Sequence, residues 1–106
     1  MSGPPDLGHF GAWCVDRGLV AMPASPATVA HYLADLEGSY KPSTIRRRLA
    51  SISVAHQAAG HPTPTSDPGV RAVWAGIRRR HGIALRKLRA ARTKIVATMV
   101  APSAIA

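Results

Sequence analysis

Two stretches hold most of the side chains able to do chemistry. Lys41-Pro42-Ser43-Thr44-Ile45-Arg46-Arg47-Arg48-Leu49 and Val70-Arg71-Ala72-Val73-Trp74-Ala75-Gly76-Ile77-Arg78-Arg79-Arg80 each set guanidinium groups on the polar side of an amphipathic helical pattern. A guanidinium is planar and always charged, and it donates in a fork that fits phosphate oxygens. Several held in register therefore suit a regular array of phosphates. The charge is also segregated. Residues 1–40 hold one arginine and four acids, a net of −3, and residues 41–106 hold thirteen lysines or arginines and one acid, a net of +12, together the overall +9. Asp67 is the one acid after residue 40, so local neutralisation is scarce and a polyanion would relieve the repulsion.

Other chemistries lack their residues. The five histidines and the lone cysteine, Cys14, show no metal-ligand spacing, so neither a metal nor a cofactor is expected. No cluster of nucleophile, acid and base stands out, and no small-molecule substrate is implied. Activating a tyrosine for attack on phosphorus takes clustered cations and a proton acceptor, which nothing in the sequence is expected to supply to Tyr32, in a buried stripe, or Tyr40, beside a turn. A single cysteine cannot close an internal disulfide, and the N-terminus lacks a signal-peptide pattern, so a cytoplasmic protein is expected. Ile95–Ala106 is apolar but falls short of the ~20 residues of a membrane span, and Pro102 interrupts it.

The elements that must position the arginines are helical. At 106 residues and 46% hydrophobic content the chain suits one folded domain, and no stretch alternates with a period of two. The fold class expected is all-α, a four-helix bundle. Leu7, Phe10, Trp13 and Cys14 mark the first helix, which Gly18 stops. Ser25 and Pro26 start the second, Val29, Tyr32, Leu33 and Leu36 form its apolar stripe, and Gly38 closes it. Ile45, Leu49, Ile52, His56 and Ala59 share a sector of the third, which ends at Gly60. Ser43, Arg47, Ser51 and Val54 take the opposite sector, flanked by Arg46. Asp67 or Ser66 caps the fourth at Pro68, Val70, Val73, Trp74 and Ile77 are its buried stripe, and Gly82 is its expected end. Residues 1–5 are expected to be a flexible N-terminus, 6–82 the helical domain, and 83–106 a basic linker with a weakly ordered or helical tail.

In order and spacing, Phe10 to Gly18, Pro23 to Leu33, Ser43 to Ser53, His56 to Gly60, Asp67 to Arg71 and Gly76 to Arg79 resemble the N-terminal core-binding (SAM-like) domain of phage-integrase-type tyrosine recombinases. The resemblance covers roughly residues 7–87. It implies a compact helical bundle forming half of a clamp on double-stranded DNA, with neighbouring recombinase protomers assembling on paired sites. It also implies a short basic linker to a catalytic domain, where Arg86 and Lys87 would lie. The family's His-x-x-Arg signature is absent, since none of His9, His31, His56, His61 and His81 is followed three residues later by arginine. The resemblance therefore implies a module without catalytic residues of its own: a fragment, or a truncated gene product.

On this reading Lys41, Ser43, Thr44, Arg46, Arg47, Arg48, Arg71, Arg78, Arg79, Arg86 and Lys87 are the DNA-binding candidates, with Arg47 pointing most directly outward. Arg80, nearer the apolar stripe, would cap the last carbonyls of its helix. His56, Trp13 and Trp74 fall on apolar faces and are assigned to the core. The competing reading takes the basic faces as solvated surface. The chain is then a helical protein-interaction module, pairing with itself or with a full-length recombinase through Ile95–Val100.

Overall fold

Proline at the first position of three successive helices sets their phasing, because its fixed φ suits a helix start and its missing N–H costs nothing there. The computed structural model describes the backbone of residues 5–105 and the side chains of residues 7–92. Its described residues form α1 (Pro5–Asp16), α2 (Pro26–Glu37), α3 (Pro42–Ala58), a single 3-10 turn (Pro64–Ser66) and α4 (Pro68–Ile105), with no strand among them. The all-α expectation holds. Residues 1–4 of the expected flexible N-terminus lie outside the described residues.

The expected caps are in place. Ser25 accepts from the Thr28 N–H at 3.1 Å, and Asp67 Oδ2 from the Gly69 N–H at 2.8 Å. Gly18 and Gly60, past the ends of α1 and α3, take φ of 67° and 81°, a region that costs any residue with a Cβ. Gly38 closes α2 in a right-handed conformation instead, with φ −79°.

The core joins Phe10, Trp13 and Cys14 of α1 to Val29, Tyr32, Leu33 and Leu36 of α2, Ile45 and Ile52 of α3, and Val70 and Ile77 of α4. α2 packs along α4 and α1 against α3, and the 3-10 turn touches α2, α3 and α4. Phe10 and Trp13 meet the Tyr32 ring edge-on at 4.8 and 5.2 Å between centroids. Burial pushes the Cys14 thiol up, partly countered by Arg17, so it stays a protonated packing group. His56 is fully buried in the same core. Its Nε2 accepts from the Ala24 N–H at 2.9 Å and its Nδ1 bonds the Ile52 carbonyl at 2.8 Å, so the neutral ring carries its proton on Nδ1. The imidazole ties the α1–α2 loop, whose Met22–Pro23 peptide is cis, to α3.

Three local expectations change. Ser51, assigned to the outer sector of α3, is buried, its hydroxyl donating to the Arg47 carbonyl at 3.1 Å. Packing of α1 against α3 covers a wider arc than one stripe. Ala59, assigned to the apolar sector, is the exposed cap beyond the last helical residue. The third change is the largest: α4 does not stop at Gly82. Gly82 has no positive φ, and the strong helix formers Ala84, Leu85, Arg86, Lys87, Leu88, Arg89 and Ala90 follow it, enough to offset the roughly 1 kcal/mol that one glycine costs a helix. A Cβ there would meet only Arg86 Nη1, at an ordinary 3.7 Å. Gly82→Ala is therefore expected to raise helicity, by circular dichroism, and stability by about 0.5–1 kcal/mol.

Candidate nucleic-acid interface

α3 and α4 diverge around a groove of about 280 Å³ lined by Arg46, Leu49, Ala50 and Ser53 of α3, Val70, Arg71 and Trp74 of α4, and Thr65 of the 3-10 turn. The geometry follows from helical phase. Arg46 sits one step round from the buried Ile45 and Arg71 one step round from the buried Val70, so each projects from the flank of its helix. Two guanidiniums from different helices thus border one depression, joined by two hydroxyls over an apolar floor, and no acid lines it. Such a site can hold an anion between its rims.

Trp74, assigned to the core, packs against it with one side and forms groove wall with the other. The Arg78 guanidinium lies 5.7 Å from the centre of its indole ring, which holds that charge beside the groove. Arg47, Arg79, Arg86 and Lys87 are exposed. At the start of α3, Lys41 is the exposed N-cap, making no side-chain cap bond, with Ser43 exposed and Thr44 half-buried.

Arg48 turns elsewhere. Its guanidinium lies over the Tyr40 ring at 4.2 Å, on the flank of α3 away from Arg46. Burial works against its charge, but the polar and electrostatic pull of the Tyr40 and Tyr32 side chains together outweighs that and raises its pKa. Arg48 is thus half-buried in a polar cluster in which His9 Nδ1 and the Tyr32 hydroxyl are hydrogen-bonded at 2.7 Å and the Tyr40 hydroxyl stands 3.5 Å from His9 Nε2. This corrects the expectation that neither tyrosine has a cation or proton acceptor beside it. Tyr32 is nevertheless fully buried, so its oxygen does not reach a phosphate in solution. No sequence spacing foreshadows the cluster, whose members are up to 39 residues apart.

Arg80 is a second correction. Instead of capping its helix, it donates from Nε and Nη2 to the two Glu37 oxygens at 2.6 and 2.9 Å. It folds back over Gly76, where an added Cβ would lie only 3.1 Å from Arg80 Nη1. The pair fastens α4 to the end of α2, and a hollow of about 210 Å³ beside it includes Tyr40, Ile77 and His81. On the acidic side, Asp35 accepts from Trp13 Nε1 at 2.9 Å and from Arg17 at 3.1 Å. Two of the four early acids are thus engaged by arginines.

The hydrogen bond from Arg80 holds the Glu37 carboxyl below its ordinary value of 4.5, with burial opposing and the guanidinium charge assisting. A carboxyl with a depressed folded pKa stabilises the fold fully above its unfolded pKa and loses that contribution as pH falls through the folded value. Thermal melts of wild type and Glu37→Gln are expected to converge as pH is lowered below 4.5 and to stand furthest apart at neutral pH.

Ser53, Thr65 and Trp74 of the groove, and the exposed Arg89 and Arg92 of α4, were not among the sequence candidates. A helix carried through Gly82 would have flagged Arg89, five turns beyond Arg71. The apolar segment Ile95–Val100 is helical in its backbone, but its side chains lie outside the described residues. Among the described residues no group of His, Cys, Asp and Glu could hold a metal ion, and no helix is long and apolar enough to cross a membrane.

No protein-family profile matches the chain. It is 40% identical over 80 residues, 73% of its length, to a protein described as an integrase/recombinase XerD homologue from Selenomonas ruminantium. The chain spans 24% of that relative's length. Over those 80 residues, this helical chain is similar to one segment of that integrase/recombinase homologue.

Proposed function

We propose that the chain is a DNA-binding module of the recombinase core-binding type, clamping duplex DNA through the α3–α4 side and doing no strand chemistry by itself. The observation that carries this reading is the meeting of Arg46 and Arg71 at one acid-free groove. Arg47, Arg78 and Arg79 would contact flanking phosphates, with Lys41, Ser43 and Thr44 adding donors at the start of α3 and Arg86 and Lys87 continuing the positive surface. Arg48, committed to Tyr40 and Tyr32, would act by shaping α3. The likeness to an integrase/recombinase supports this reading, as does the +12 carried by residues 41–106. Other recombinase protomers are the further partners it implies, and the cytoplasm is the compartment.

Phosphate contact makes affinity depend on salt through counterion release. With four to six phosphates engaged, log K is expected to fall against log salt with a slope of about −4 to −5, roughly 500-fold between 50 and 200 mM. Fluorescence anisotropy on a labelled duplex measures this. A slope near zero would remove the proposal.

A further inference from the structure

Because α4 runs unbroken through Gly82, arginines on the bundle and arginines beyond it share one helical phase. At 3.6 residues per turn, Arg71, Arg78, Arg86, Arg89 and Arg92 fall within a sector of about 120°, centred about 125° round from the buried stripe of Val70, Val73 and Ile77. From Arg71 to Arg89 the rise is about 27 Å, most of the ~34 Å turn of B-form DNA. Residues 83–92 are all exposed, and no acid occurs from Pro68 to the end of the chain. Lys87 points to the other side of the same helix, about 160° from Arg89. Ile83, Leu85 and Leu88 are scattered round it and form no single apolar face of the kind that inserts into a bilayer.

We propose that α4 is a continuous arginine rail that follows duplex DNA past the edge of the bundle, with Arg86, Arg89 and Arg92 as phosphate contacts in register with Arg71 and Arg78. The Arg80–Glu37 pair is the fastening from which the free part projects, fixing the direction of the rail relative to the groove. This rests on the DNA-binding reading and refines it: within the extension, position on the helix decides which charges engage, so Arg86, Arg89 and Arg92 outweigh Lys87.

Two single variants of the full chain with equal charge loss test this, R89Q on the rail and K87Q off it. Both positions are exposed and glutamine matches arginine and lysine in helix propensity, so both variants should melt with wild type. On a duplex of about 20 base pairs, R89Q is expected to make the salt slope shallower by about 0.9, and K87Q by less than about 0.3. Equal losses would show a diffuse cationic tail and overturn the rail, as would no loss in R89Q or a preference for anionic vesicles over duplex. The groove is separated by R46Q/R71Q: if that variant alone loses slope, the rail fails and the DNA-binding reading stands. If wild type itself shows no slope, both fail.

Discussion

Replacing His56 with alanine is expected to destabilise the fold by about 3–4 kcal/mol, a large share of the 5–15 kcal/mol that holds a domain of this size together. Two effects add. The fully buried ring leaves a cavity, and the Ala24 N–H loses the acceptor it meets at 2.9 Å, a buried orphan costing about 1–3 kcal/mol. His56→Phe separates them, since it fills the space and still strands the N–H, so it should cost about 1–3 kcal/mol. Urea unfolding of the three proteins measures both differences. A loss below about 1 kcal/mol for His56→Ala would mean that the loop is not anchored through the imidazole.

The second large effect concerns the groove. R46Q/R71Q removes the two charges that border it, and the salt slope on duplex DNA should become shallower by about 1.8. Affinity at moderate salt should fall roughly tenfold to a hundredfold, evenly across DNA sequences, because phosphate contacts position a protein without reading bases. Anisotropy titrations on two unrelated duplexes measure this. The acid-side double variant R17Q/D35N, at the far pair between α1 and α2, should leave binding unchanged.

Most of the fold is legible in the sequence because it is written in short-range terms. Ser25-Pro26 and Asp67-Pro68 begin helices through local capping, Gly18 and Gly60 end them through local backbone freedom, and the stripes of α2 and α4 follow from 3.6-residue spacing. The failures arise where a tertiary or longer-range preference decides. Gly82 looks like a stop in isolation, but the ten residues after it favour helix strongly enough to carry α4 through. The three adjacent arginines of α3 look equivalent in sequence, yet one helical step of 100° sends Arg46 to the groove, Arg47 outward and Arg48 onto Tyr40. The choice depends on which helix lies on each flank. Arg80 is lost to the positive surface for the same reason, since its partner Glu37 is 43 residues away in the chain.

These separations matter because a basic protein can bind DNA by bulk charge alone, and the present account requires one side of a folded bundle to do it. The most direct measurement is backbone amide shift mapping by nuclear magnetic resonance during titration with a short duplex at moderate salt. The account predicts perturbations at Arg46, Ser53, Thr65, Arg71 and Arg78, with Val15, Arg17, His31 and Asp35 undisturbed. Shifts spread evenly over all four helices, or concentrated on α1 and α2 while the α3–α4 groove stays silent, would contradict it.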